Sequence, residues 1–163
     1  LAESVCMYFE HIVVVNDPNH PVPPLSRVQL WRGLRRRAYS PLEFIEAADD
    51  CTIVEQGENW LLREIHFGQM SVRDRIEFLP QQAVHYHTEA NEQHAGGKVS
   101  MVIEEPQAGV MCVRFVYQTP LPEQSPEEKH YASYVKKAYQ QMDIESIRII
   151  RELAEQGELN EPH

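Results

Sequence analysis

The hydrophobic positions of this chain follow two periods, and the switches between them mark out its elements. Met7 to Val15 is a short apolar run rich in β-branched residues, which predicts a strand buried on both faces. The stretch from Asn16 to Pro24 carries too many prolines for helix or ladder and predicts a loop. Ser26, with Gln29 three residues on, forms a capping box that opens a helix with Leu30, Leu34 and Ala38 on one face and Val28 and Trp31 alongside. Ser40, Pro41 and Glu43 repeat the signal and predict a second short helix carrying Phe44 and Ile45. From Cys51 to Tyr117 the period falls to two, with strands over 51–55, 60–67, 70–79, 83–89, 98–105 and 110–118. Consecutive strands with short turns make an antiparallel meander. The longest interruption, through Asn91, Gly96 and Gly97, reads as a connector or as the lip of an opening.

A third capping box, Ser125 to Glu128, opens the one long helix, which ends near Gln156 before Gly157 and spans about 45 Å. Tyr131, Tyr134, Val135, Ala138, Met142, Ile149 and Leu153 fall on one stripe, so this helix lies along the sheet. Glu145 and Ser146 interrupt the stripe, and Glu145 either reaches a cavity mouth, water or an arginine such as Arg63, or stands equally well at an exposed helix end. Ile144 and Ile147 project elsewhere and offer a contact to a partner or a second copy, so a homodimer is compatible with the sequence. The order of elements gives an α+β domain over residues 7–156, a seven-stranded curved antiparallel sheet wrapped around the C-terminal helix. Residues 1–6 read as a leader ahead of a natural start at Met7, and residues 157–163 as a tail.

The pattern also sets the register at the Gly68-Gln69 turn. With Phe67 opposite Met70, Ile65 faces Val72, Arg63 faces Asp74 and Leu61 faces Ile76, all on one side of the sheet. A slip of one residue would set Ile65 against Arg73, which the apolar pattern rejects. If Phe78 faces Val84, then Ile76 faces Tyr86 and Asp74 faces Thr88. Further along, Val99, Met101 and Ile103 are expected to face Phe115, Val113 and Met111. Arg63 and Asp74 thus stand inside an apolar wall. Burying such a pair in a dry core costs several kcal/mol, which points to a cavity holding water or a polar ligand group.

Composition narrows the partners. A formal net charge of -10 and a pI near 5.2 exclude nucleic acid and anionic membranes as expected targets. The one basic cluster, Arg35-Arg36-Arg37, lies at a predicted helix end, where cations offset the helix dipole. No apolar run approaches the ~20 residues of a membrane span, and no signal pattern opens the chain, so the expectation is a soluble, cytoplasmic protein. Cys6, Cys51 and Cys112 show no paired spacing, and neither a disulfide framework nor a zinc site is indicated. His85 and His87 share the outward face of their strand, so no metal is expected, and no Walker, dinucleotide or nucleophile-elbow motif signals a cofactor.

Several words in the chain are more telling than its order of elements. These are Val15-Asn16-Asp17-Pro18, Leu25-Ser26-Arg27-Val28-Gln29-Leu30-Trp31-Arg32-Gly33-Leu34, Arg37-Ala38, Ser40-Pro41, Phe44, Cys51-Thr52-Ile53-Val54 and Arg63-Glu64-Ile65. Together they resemble the AtaL-like family within the START and birch-pollen-allergen-like superfamily. The resemblance runs from Met7 to about Leu153, and Leu-Trp-x-Gly-Leu is its most specific part. It implies a helix-grip fold with a hydrophobic cavity between sheet and C-terminal helix. Members of that superfamily bind lipids, sterols or hormones, cyclise or dehydrate polyketides, or serve as co-chaperones, and fold does not choose among these. The glycine-rich loop of the allergen-like branch is missing here, so roles attached to that loop do not carry over.

The candidate ligand contacts are Arg63, Asp74, Tyr86, Thr88, Trp31, Phe67, Phe115, Tyr134, Tyr139 and Met142. Arg63 suits a ligand carboxylate or enolate, with Asp74 orienting it or acting as a base and Tyr86 or Arg63 stabilising an oxyanion. The same pair could equally be a satisfied ion pair bracing the sheet, and the aromatic and Met positions could simply fill the core. The expected function is binding of a small apolar molecule with an acidic or carbonyl end. A polyketide-cyclase or dehydratase and a protein-interaction module are the alternatives.

Overall fold

In the computed structural model, which describes residues 7–20 and 22–160, the period-two segments pair into one sheet of seven antiparallel strands. The chain runs β1 (Met7–Asn16), α1 (Arg27–Tyr39), a 3-10 turn (Pro41–Glu43), β2 (Asp50–Gln56), β3 (Trp60–Phe67), β4 (Met70–Leu79), β5 (Ala83–Thr88), β6 (Gly97–Gln107), β7 (Val110–Thr119) and α2 (Pro126–Glu155). Across the sheet the order is β1-β7-β6-β5-β4-β3-β2, which leaves β1 and β2 at the edges. Bulges between Val14 and Asn16, Ile53 and Glu55, and Glu104 and Gln107 bend three strands, and this curves the sheet around the helices. α1 and α2 pack on each other, and α2 also lies against β1. This is the expected α+β architecture, a curved sheet around a long C-terminal helix.

The register around Gly68 is the predicted one: Phe67 pairs with Met70, Ile65 with Val72, Arg63 with Asp74 and Leu61 with Ile76. Gly68 takes φ 61° at the first central position, where a two-residue hairpin turn of the II′ kind wants glycine. β5 follows as predicted, with Tyr86 opposite Ile76 and Thr88 opposite Asp74. The β6–β7 register is corrected by two residues: Val99 faces Tyr117, Met101 faces Phe115 and Ile103 faces Val113. The hairpin closes on Ala108-Gly109, with Gln107 opposite Val110, and the β6 bulge takes up the difference. A shift of two keeps every side chain on its own face, so the inward row is unchanged.

β1 is corrected from doubly buried to half-buried. It is an edge strand whose outer residues Tyr8, Ile12 and Val14 are exposed, so its β-branched run reflects strand propensity rather than two covered faces. The predicted second helix shrinks to the single turn Pro41–Glu43, and Ser40 makes no side-chain cap bond. The Glu43 carboxylate that would complete its box is taken by Arg36, at 2.8 and 2.7 Å. The capping boxes of Ser26 and Ser125 form in full.

α2 carries the largest correction. Its buried face runs through Ala132, Asp143, Ser146, Ile147, Ile150 and Leu153, whereas Tyr131 and Tyr134 are exposed. Ile147 belongs to the core, which leaves only Ile144 of the proposed contact pair outside. Glu145 is exposed too and pairs with Arg148 rather than reaching a cavity. The buried stripe passes through two polar positions, so hydropathy drew its N-terminal part on the exposed side, whereas Met142, Ile149 and Leu153 do face the cavity or the core. Gly157, at φ 76°, ends the helix with Glu158 N–H donating to the Leu153 carbonyl and Gly157 N–H to that of Ala154. The segment read as a tail then returns to the core: Leu159 is fully buried, and Arg32 Nη1 donates to the carbonyls of Leu159 and Asn160. Residues 1–6, read as a leader, lie outside the described residues.

Gly33, in the Leu-Trp-x-Gly-Leu segment, sits where a side chain has no room. A Cβ built there overlaps the Cγ2 of Ile150, a stiff β-branched side chain with no exposed surface. Glycine thus sets how closely α1 approaches α2. Gly33→Ala is expected to cost roughly 1–3 kcal/mol by overpacking, read as a lower urea midpoint at constant m-value.

Candidate functional site

The inward rows of β3 to β7 converge on a cavity of about 260 Å³ that α1 and α2 close from above. Its buried lining residues are Arg37, Arg63, Asp74, Tyr86 and Tyr117 together with the apolar Ile65, Val72 and Met101. Its partly exposed residues are Ile45, Phe67, Met70, Thr88, His94, Val99 and Met142, so the mouth opens where the Gly68 turn and the 89–96 loop lie. The loop read as a lip therefore contributes His94 to the rim. A polar floor and an apolar mouth fit a molecule that enters with its polar end first.

Arg63 and Asp74 meet as the register requires. Arg63 Nε and Nη2 donate to Asp74 Oδ2 at 3.1 and 3.0 Å, and Thr88 Oγ1 donates to Oδ1 at 2.6 Å. Arg63 Nη1 turns to the last turn of α1 and donates to the Ala38 carbonyl at 2.7 Å. Each guanidinium nitrogen thus has an acceptor and each carboxylate oxygen a donor, which makes the pair a satisfied brace between sheet and helix.

Arg37 stands differently. Only 4% exposed, it donates from Nε to Ser146 Oγ at 3.0 Å and from Nη1 to Tyr86 OH at 3.2 Å. Among the described residues no carboxylate lies within ion-pair distance of it. Burial alone would lower its pKa, but Tyr86, Tyr117 and Asp143 more than offset this and the pKa is raised, so the group is a cation. The guanidiniums of Arg37 and Arg63 also lie over the Tyr86 ring, 5.7 and 5.3 Å from its centroid. The basic cluster is therefore corrected: Arg37 serves the cavity floor, while Arg36 pairs outside with Glu43 and Glu158.

A second polar group backs the floor. Asp143, fully buried on α2, accepts from Tyr117 OH at 2.6 Å and sits 2.7 Å from His11 Nε2. A carboxylate only accepts, which assigns the proton to His11 Nε2. Burial and the Asp143 charge push the Tyr117 hydroxyl well above the usual phenol range.

Of the ten candidate contacts, Arg63, Asp74, Phe67, Tyr86, Thr88 and Met142 line this cavity. Phe115 is core, stacked on His11, and Tyr139 stacks behind Tyr117 at 4.0 Å between centroids. Tyr134 is 70% exposed. Trp31 packs edge-on against Phe78 and lines a separate surface groove of about 800 Å³ outside α1. That groove is the larger hollow, but the buried polar groups converge on the smaller one. Arg37, Tyr117 and Asp143 were missed by sequence reasoning, although Arg37 continues the Leu30, Leu34 face of α1 at helical spacing. His85 faces away from the cavity and bonds Ser100, and among the described residues no three His, Cys, Asp or Glu side chains gather as metal ligands.

The family model described as AtaL, acetylaranotin biosynthesis cluster protein L, matches residues 11–157. No curated protein sequence matches the chain. Among solved structures, the Zhui aromatase/cyclase from Streptomyces sp. R1128 superposes with a TM-score of 0.66 at 11% identity, over 91% of this chain and 95% of that one. The di-domain ARO/CYC StfQ from the steffimycin biosynthetic pathway gives 0.69 at 11% identity, over 94% of this chain and 52% of its own, so this chain spans about half of it. Ara h 8.0201 gives 0.58 at 17% identity, over 90% and 96%. At such identities the likeness is one of fold, the helix-grip fold.

Proposed function

The chain belongs to the AtaL family, and from that premise we propose that it binds a small apolar molecule with an acidic or carbonyl end in the cavity between sheet and α2. The observation that carries this reading is Arg37, a buried cation on the cavity floor whose hydrogen bonds go only to hydroxyls. A ligand carboxylate or enolate oxygen beside it gains a charge-assisted hydrogen bond in a water-poor site, with Tyr86 alongside. The ligand's apolar part then lies among Ile45, Phe67, Met70 and Met142.

The cavity of about 260 Å³ falls just below the ~300–1,000 Å³ of drug-sized pockets, which favours a compact molecule. Native mass spectrometry of the freshly purified protein tests this. The expected result is a small-molecule adduct that solvent extracts as a compact organic acid or ketone. Extraction of a long-chain lipid would count against it.

A polyketide-cyclase or dehydratase reading of the same cavity draws support from the two neighbours named as aromatase/cyclases. The Arg37-bound Tyr86 hydroxyl would favour a developing enolate oxygen in such a reaction.

A further inference from the structure

If the cavity works on its ligand, it needs a base, and the carboxylate singled out from sequence is poorly suited. Both Asp74 oxygens are occupied, one by two guanidinium nitrogens and the other by Thr88. Asp143 has a different setting. It is fully buried, and although both its oxygens are also hydrogen-bonded, their donors are the Tyr117 hydroxyl and His11 rather than an arginine or lysine. Tyr117 is itself a lining residue, so it stands between the carboxylate and the cavity.

We propose that Asp143, acting through the Tyr117 hydroxyl, draws a proton from the carbon next to a ligand carbonyl, which makes the substrate class a compact cyclic ketone or 1,3-dicarbonyl. This rests on the cavity being the ligand site. In the step the ligand C–H bond breaks and its proton forms a new O–H bond at the Tyr117 oxygen, while the original Tyr117 proton passes to Asp143. The electron pair left on carbon moves into the carbonyl, and the resulting enolate oxygen accepts from Arg37. Negative charge thus shifts from a buried carboxylate to an oxygen beside a buried cation, and no other reactant is needed. Tyr117 is the catalytic residue; Asp143 and His11 position and drive it. The high affinity of the Tyr117 oxygen for its proton suits a hydroxyl that is never left ionised and only passes a proton along.

The test uses 2-tetralone, a compact ketone with acidic α-hydrogens, in D2O, with loss of the α-proton signal followed by NMR and binding followed separately by calorimetry. The wild-type protein is expected to accelerate exchange over buffer. Tyr117→Phe and Asp143→Asn should each lower turnover at least ~100-fold with KM little changed, and the double variant should be no worse than either single one, as for groups acting as a unit. Release of tritium from α-tritiated 2-tetralone should be slower in D2O than in H2O for the wild type, since the Tyr117 proton comes from solvent. That measurement stands even if a variant does not fold. Binding without accelerated exchange overturns the relay and leaves the cavity reading intact, whereas absence of binding overturns both. Equal tritium release in the two solvents, or exchange lost in Asp74→Asn and kept in Asp143→Asn, also overturns the relay.

Discussion

Asp74→Ala is expected to cost the fold roughly 3–5 kcal/mol, the usual consequence of leaving one buried charge without its partner. Arg63 is only 3% exposed and would keep only its bonds to the α1 carbonyls and its place over the Tyr86 ring, and Thr88 would lose its acceptor. The pair links the sheet to the last turn of α1, so the loss should appear as one cooperative transition at a lower urea midpoint. Replacing both partners, Arg63→Met with Asp74→Leu, removes the buried charges altogether. That double variant should recover most of the lost stability, because apolar replacements of buried ion pairs are often neutral or stabilising. A double variant as unstable as Asp74→Ala would mean the pair's bonds, rather than an uncompensated charge, dominate.

Arg37→Met should behave differently. This guanidinium is hydrogen-bonded only to hydroxyls, and Tyr86, Tyr117 and Asp143 offset its burial without a direct ion pair, so an apolar side chain of similar length should cost far less stability than Asp74→Ala does. Affinity for 2-naphthoate, a compact ring with one carboxylate, should fall roughly 10- to 100-fold, corresponding to the ~1.5–3 kcal/mol of a hydrogen bond to a charged group. Naphthalene, with no anionic end, should bind both proteins alike. Calorimetry alongside urea unfolding separates the two effects. A loss of stability with unchanged 2-naphthoate affinity would make Arg37 a structural residue.

These two arginines show what was legible in the sequence and what was not. Arg63 could be placed because a strand's period of two ties register to hydropathy, and a one-residue slip would have turned its whole inner row to solvent. The β3–β4 and β4–β5 pairings follow from that constraint, and with them half of the cavity wall. The β6–β7 pairing was read two residues out because a two-residue slip leaves the faces unchanged and hydropathy is silent about it.

Helices give weaker constraints when their buried face is partly polar. Arg37 and Ser146 are buried through their bond across the two helices and that of Arg37 to Tyr86, and Asp143 through its bonds to Tyr117 and His11 on the sheet. Each looks like a solvent-facing residue until its partner is known. The stripe on α2 was drawn through Tyr131 and Tyr134 for that reason, although the 143, 146, 147, 150, 153 spacing is a regular helical face. Buried polar groups are tertiary facts, visible only once distant elements are brought together.

Methionine methyl NMR tests the central claim, that the cavity floored by Arg37 holds an apolar ligand, most directly. The chain has five methionines; Met70, Met101 and Met142 line the cavity, while Met7 and Met111 lie in the core away from it. Titrating 2-naphthoate into methyl-labelled protein should shift the Met70, Met101 and Met142 signals by the ring current of the bound naphthalene, and leave Met7 and Met111 in place. Shifts at Met7 or Met111 alone, or none at a saturating concentration, would contradict the account.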